Sequence, residues 1–408
     1  MNDADADDFD RHGDARFADL ADLKQGGFLT TGGVYLGVEA DKGQPIFWNG
    51  EGHLLTVAPA GFGKTTKLII PNLLTYDRGS VVVTDPKGTL TAITSRYRRE
   101  ALNNRIVVLN PWREEIADPE TGLGVDLGST GFNPLRLLKP GAPGLIDNAE
   151  TLANLICPTP PGSKDSFFTK TGAQILTGCL LYLCHAPDKE CSLPSLFELT
   201  RQTAGEWQAL AEDMERLPGL NFRPYAGEIL QNLESEKQWA GIVGAINEAT
   251  QIYNPDKPLG AHVAQDEFDP DDLKRTKVTV YIVIPSNRRV ANMAWLSLVM
   301  ASMAEAVGKP SKSAPVLLVA EEFANLGYMP TIGNAMAEYR EAGLKVHLVI
   351  QNMNQLEKIY GKDGALDLVN NCNVKQYFGI NDATLAKSLE EQLGTYTAQE
   401  RTRPSGLI

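Results

Sequence analysis

One short stretch constrains this chain more than any other. Ala58-Pro59-Ala60-Gly61-Phe62-Gly63-Lys64-Thr65 follows the apolar run His53-Leu54-Leu55-Thr56-Val57 and leads into helical apolar spacing over residues 65–73. A loop of this composition between a strand and a helix is built to hold phosphate. Its glycines let backbone N–H groups turn inward, its lysine reaches the β and γ phosphates, and its hydroxyl can sit beside Mg²⁺. The helix start adds the positive end of its dipole at the anion. The nucleotide-binding set is therefore read as Ala60, Gly61, Phe62, Gly63, Lys64, Thr65 and Thr66, with ATP and Mg²⁺ as the expected ligands. The first motif position is Ala58 rather than glycine, which is mild wherever φ is negative.

The surrounding pattern sets the fold class. Short β-branched runs at residues 53–57, 80–84 and 105–109 alternate with helical spacing at 65–73 and 90–102. Apolar runs resume at 278–284, 316–320, 345–350 and 374–379. This rhythm predicts an α/β fold, a mostly parallel sheet buried between helices. Residues 33–47 read as short strands or a hairpin. Between them, residues 147–250 show helical spacing, with helices expected at 148–156, 168–185, 193–201, 207–215 and 228–253. The resulting division is an acidic tail and lead-in over 1–30, a first nucleotide-binding part over 31–139, an all-alpha domain over 140–270 and a second nucleotide-binding part over 271–408. At 408 residues the chain is long enough for about two domains.

A nucleotide-hydrolysing site needs a second half: an apolar strand that ends in carboxylates. Residues 316–320 end in Glu321-Glu322. Glu321, with Thr65, is assigned to the metal, and Glu322 to polarising the attacking water. An aspartate is the usual residue in the first position, so Glu321→Asp is expected to preserve or raise activity. Gln351 ends the next apolar strand and is placed to sense the γ-phosphate or orient water. The hydrophobic share is 43 % and the charged share 22 %, ordinary for a globular chain. The net charge of −13 argues against a protein that wraps nucleic acid over its whole surface, though not against a basic channel. The five cysteines form no CxxC pair and accompany no histidine cluster, which excludes a structural zinc pattern. Cys179 and Cys184 read as small core residues, and the odd count fits a reducing cytosol. No apolar run reaches the roughly 18 residues that span a bilayer.

Several segments together resemble the type IV secretion coupling proteins, the TraG/TraD family of conjugative DNA-transfer ATPases. They are the glycine-rich loop with Ile70-Pro71-Asn72-Leu73-Leu74, then Val81-Val82-Val83-Thr84-Asp85-Pro86-Lys87-Gly88 and Phe132-Asn133-Pro134-Leu135. Glu321-Glu322-Phe323-Ala324-Asn325-Leu326-Gly327, Gln351-Asn352-Met353-Asn354-Gln355-Leu356, Tyr360-Gly361, Asn371-Cys372-Asn373 and Asn381-Asp382-Ala383-Thr384 continue it. The likeness runs over residues 12–397. It implies a RecA-like P-loop NTPase with an inserted all-alpha domain, working as a homo-oligomeric ring, usually a hexamer, with ATP between subunits. By position, Arg340 matches the arginine that reaches into the neighbour's site. Three departures stand out: no transmembrane hairpin precedes the match, Glu321 replaces the family's Asp, and the family's last strands fall beyond Ile408.

The expected function is that of an ATP-binding coupling protein. It would link DNA with its relaxase, or effector proteins, to a type IV secretion channel and drive transfer by ATP hydrolysis. Contact with DNA is expected to be single-stranded and sequence-independent. The place is the cytoplasm, at the inner face of the bacterial inner membrane, with membrane contact only through an anchor or partner outside this sequence. The alternative is a nucleotide-dependent adapter that recognises effectors and hydrolyses slowly or not at all; a double-strand DNA pump of the FtsK/HerA kind is a weaker one. The run Arg96-Tyr97-Arg98-Arg99 is read as a solvated helix face rather than a DNA contact.

Overall fold

The computed structural model describes residues 16–117, 124–159, 166–309, 314–380 and 383–394. The acidic tail, the turn at 160–162 and Asn381-Asp382 lie outside the described residues. Seven strands make one sheet: β1 (His53–Val57), β2 (Ser80–Thr84), β3 (Arg105–Leu109), β4 (Val278–Ile282), β5 (Val316–Ala320), β6 (Leu344–Ile350) and β7 (Cys372–Tyr377). Their order is β7-β1-β6-β5-β2-β4-β3, and every neighbouring pair is parallel. β6 lies between the strand that feeds the glycine-rich loop and the strand that ends in Glu321, in register His347 to Leu54 and Leu348 to Ala320. This is the additional strand expected of a RecA-like sheet.

The burial pattern follows from that order. The five inner strands are buried at every residue, which is why they read as continuous apolar runs without alternation. The edge strands β3 and β7 are partly exposed. The hairpin expected over 33–47 is present as Val34–Val38 paired antiparallel with Pro45–Trp48. One sheet face packs Leu54, Val81, Val83 and Val319 against Ile69, Leu73 and Leu90. The other face packs Leu55, Val82, Val280, Leu318 and Leu348 in one continuous core with the helices between residues 145 and 275 and with Met293–Gly308. Among the described residues, no strand occurs between Leu145 and Arg275.

Four readings of the sequence need correction. The helix expected over 228–253 is two helices, Arg223–Leu233 and Glu236–Thr250, because Ser235 is extended (φ −117°, ψ 99°). Pro224 sits in the first turn of the former, where its missing N–H costs nothing. The apolar spacing Ile229, Trp239, Ile242, Ile246 runs across the break and hides it. Second, Cys184 is not a free core thiol but is bonded to Cys191, with Cα atoms 4.9 Å apart, so the cysteines give no argument for a reducing compartment. Cys157, Cys179 and Cys372 are free and buried. Third, the helical run Ser286–Gly308 is long and apolar enough to cross a membrane. Its Trp295, Leu296, Leu298 and Val299 are nevertheless fully buried in the protein core.

The fourth concerns Arg98, which is not solvated but fully buried. Its guanidinium donates to the carbonyls of Leu73 (2.6 Å) and Tyr76 (3.2 Å), to Asn104 Oδ1 (3.1 Å) and to Thr279 Oγ1 (2.6 Å). It ties the end of the helix after the glycine-rich loop to β4. Spacing alone could not separate it from Arg96, which is exposed and pairs with Glu100.

Candidate functional site

The glycine-rich loop leaves β1 at its carboxyl end. The Ala58 N–H donates to the carbonyl of Ile350 (2.9 Å), so the loop's root is fixed to the end of β6. Ala58 is buried and is not among the residues with positive φ, so the missing glycine costs nothing there. Gly61 and Gly63 have φ of 85° and 79°, the left-handed region where a side chain would be strained. The helix that follows starts as a π-turn, Thr65–Ile69, before becoming α-helical over Ile70–Thr75. Pro71 explains the widening. It has no N–H to give, and its ring would meet the carbonyl of Lys67 in a regular α-turn. The Ile70 N–H bonds instead to the carbonyl of Thr65.

β5 delivers the carboxylates. The Thr65 hydroxyl donates to Glu321 Oε1 at 2.7 Å, and Thr84 Oγ1 donates to the Glu321 carbonyl at 3.2 Å. The longer arm of glutamate therefore spans the gap to the loop. Burial pushes the Glu321 carboxyl above its ordinary range; repulsion from Asp85 and Glu322 adds to this, while the Thr65 bond and Lys64 act the other way. Glu322 has a left-handed backbone (φ 54°, ψ 44°), a strained state for a residue with a side chain. Asn325 holds it in place, its side-chain amide donating to Glu322 Oε2 (2.8 Å) and its N–H to the Glu322 carbonyl (2.7 Å).

These groups meet in one cleft of about 370 Å³ at the carboxyl ends of the strands. Ala60, Gly61, Gly63, Lys64, Thr65 and Thr66 line it from the loop. Glu321, Glu322 and Gln351 line it from β5 and β6. Phe62 is not in the lining; its ring lies over Gly379, where a Cβ would collide with it. Arg340 is absent too. It is exposed in the turn before β6, at the opposite end of the sheet. At about 3.3 Å per residue, the length of β6 puts roughly 20 Å between that turn and Gln351.

The cleft also takes in residues that motif reasoning left without a role: Asp85, Pro86, Lys87 and Thr89. Asp85 is 1 % exposed. Its Oδ2 accepts from the N–H and the hydroxyl of Thr91, both at 2.7 Å, while Oδ1 has no hydrogen-bond partner. Burial raises the Asp85 carboxyl; the nearby N–H groups of Leu90 and Lys87 favour the ionised form without satisfying Oδ1. The signal was the Asp85-Pro86-Lys87-Gly88 turn at a strand end.

The donor set suits a nucleotide with a hard cation. Among the described residues, no cluster of three His, Cys, Asp or Glu side chains could hold a metal unaided. A hydroxyl with one or two carboxylates is nevertheless what Mg²⁺ uses when phosphates and waters complete its shell. Thr65 and Glu321 would hold it, and the unpartnered Asp85 oxygen fits the same chemistry.

Comparisons with known proteins agree with this geometry. A family model described as type IV secretory system conjugative DNA transfer matches residues 16–405. A conjugal transfer protein TraG of Escherichia coli is 26 % identical over 440 residues, covering 97 % of this chain and 66 % of that protein. The type IV secretion system-coupling protein VirD4 of Bartonella quintana is 24 % identical over 365 residues, covering 86 % and 54 %. This chain thus spans between about half and two thirds of those relatives' length. Among solved structures, the plasmid coupling protein TrwB with the ATP analogue ADPNP superposes with a TM-score of 0.65 at 18 % identity, over 95 % of this chain and 84 % of that one. TrwB with ADP and Mg²⁺ gives 0.63 at 18 %, over 89 % and 78 %. The α/β fold is thus that of a RecA-like P-loop protein, and the chain belongs to the type IV secretory system conjugative DNA transfer family.

Proposed function

We propose that this chain is the nucleotide-binding engine of a coupling protein, which hydrolyses ATP to move DNA with its relaxase, or effector proteins, toward a type IV secretion channel. The observation that carries this reading is the 2.7 Å hydrogen bond from Thr65 to Glu321, which joins the phosphate loop to the carboxylate strand. Lys64 contacts the β and γ phosphates, and backbone N–H groups from Ala60 to Thr66 cradle them. Mg²⁺, when bound with the nucleotide, neutralises phosphate charge. Glu322 polarises the attacking water, its side chain aimed by Asn325. Gln351 senses the γ-phosphate. The helices over residues 140–270 form the domain that meets cargo. The assembled form is a homo-oligomeric ring, a hexamer, at the cytoplasmic face of the inner membrane, with single-stranded DNA held through its phosphates. The test is ATPase rate with and without single-stranded DNA, for the parent chain and Lys64→Ala. The expected result is DNA-stimulated hydrolysis that Lys64→Ala abolishes. Equal rates in the two proteins would overturn it, and hydrolysis that is slow and indifferent to DNA would favour the effector adapter.

A further inference from the structure

Asp85 is a buried carboxylate with half of its hydrogen bonding left open. Thr91 saturates Oδ2 twice, which locks the carboxylate's orientation, while Oδ1 is buried without a hydrogen-bond partner, the N–H groups of Leu90 and Lys87 lying near the carboxylate without satisfying it, in a residue that lines the phosphate cleft. An ionised carboxylate so placed is costly unless something donates to its free oxygen. No described side chain does so. Lys87, the cation nearest in sequence, is exposed rather than turned in upon it. Asp85 also lies close enough to Glu321 for the two carboxylates to repel, and Glu321 already holds the Thr65 hydroxyl. Two acidic groups from the ends of adjacent strands, β2 and β5, thus line the same cleft as that hydroxyl. Neither alone makes a metal site. The partner that Asp85 Oδ1 lacks is a hydrogen-bond donor, and the water shell of a divalent cation is such a donor.

We propose that Asp85 is a positioning residue for the nucleotide-bound divalent cation, its Oδ1 accepting a hydrogen bond from a water of the cation's shell, with Thr65 and Glu321 the residues that would hold the ion. The inference rests on the nucleotide-binding reading above. It makes Asp85 a determinant of metal affinity rather than of nucleotide affinity.

The experiment measures Mn²⁺ binding in the presence of ADP by electron paramagnetic resonance, and ADP binding in EDTA by calorimetry, for the whole chain and for Asp85→Asn. The amide keeps the shape and can still accept from Thr91, so the fold is retained, as thermal melting checks. Should Asp85→Asn fail to fold, Asp85→Ser carries the same test. The expected result is Mn²⁺ affinity weakened about 10- to 100-fold, the usual loss when a residue behind a metal's direct ligands is removed. ADP affinity in EDTA should stay within about 3-fold. Equal Mn²⁺ affinity in parent and variant overturns the inference, as does an equal loss of ADP affinity in EDTA. A parent chain that binds no ADP with or without Mn²⁺ would instead sink the nucleotide-binding reading itself.

Discussion

At the scale of single residues, reach decides between two expectations for Glu321. Judged by sequence, Glu321→Asp restores the commoner residue and should preserve or raise activity. The observed contact argues the reverse. The Glu321 carboxylate touches the Thr65 hydroxyl at 2.7 Å. Removing one methylene withdraws it by about one C–C bond, ~1.5 Å, beyond hydrogen-bond range. Glu321→Asp is therefore expected to raise the Mg²⁺ concentration for half-maximal ATPase activity by about tenfold, a loss comparable to that of one charge-assisted hydrogen bond. A Mg²⁺ titration reads this directly, and a parental midpoint would mean that β5 shifts to restore the contact. Glu322 differs in kind. Its left-handed backbone and its bond to Asn325 fix the carboxylate's position. Glu322→Gln keeps both and loses only the charge that polarises water. Turnover should fall by about 10²–10⁴ with ATP binding intact, so nucleotide recovered from the variant should be mainly ATP. Recovery of mainly ADP would remove Glu322 from the chemistry.

At the scale of elements, the strands were legible because five of them are buried on both faces and leave unbroken apolar runs. The phosphate loop and the Glu321-Glu322 strand end were legible for the same reason: both punctuate such runs. What spacing could not reveal was a break without an apolar gap, as at Ser235, or a charged residue with its partners scattered along the chain. Arg98 is the clearest case. Leu73, Tyr76, Asn104 and Thr279 come from four elements or turns, and only the fold brings them around one guanidinium. The same holds at the site, where Asn325 orients the Glu322 carboxylate that the motif had marked and Thr91 orients the Asp85 carboxylate to which no role had been given. Arg98 leads to a prediction for its element. Arg98→Met fills much of the volume but leaves the Leu73 and Tyr76 carbonyls buried without a donor. At about 1–3 kcal/mol per unsatisfied group, the loss should be about 3 kcal/mol or more. It should appear as a lower urea midpoint with loss of nucleotide binding, since the helix those carbonyls end begins at Thr65. A change below about 1 kcal/mol would mean that water replaces the guanidinium.

At the scale of the whole molecule, the separation of Arg340 from the cleft turns a residue into a statement about assembly. The turn that carries Arg340 precedes β6, whereas Gln351 follows it, so the two lie at opposite ends of the sheet along the strand direction. Arg340 cannot serve its own nucleotide across roughly 20 Å. If it stabilises the transferring phosphoryl group, it must do so from a neighbour in a head-to-tail ring, where each interface joins one subunit's cleft to the next subunit's opposite end. Two consequences can be measured. ATPase rate per subunit should rise with protein concentration until rings are complete. Arg340→Ala and Lys64→Ala proteins, each inactive alone, should complement when mixed, because one keeps the cleft and the other keeps the arginine. With equal amounts assembling at random, roughly one interface in four joins an intact cleft to an intact arginine, so activity should recover to about a quarter of the parent if interfaces act independently. Recovery well below that, in rings shown by mass to contain both proteins, would mean that the clefts fire as a coupled set. No recovery at all would count against an arginine supplied in trans, and parental activity of Arg340→Ala by itself would exclude it.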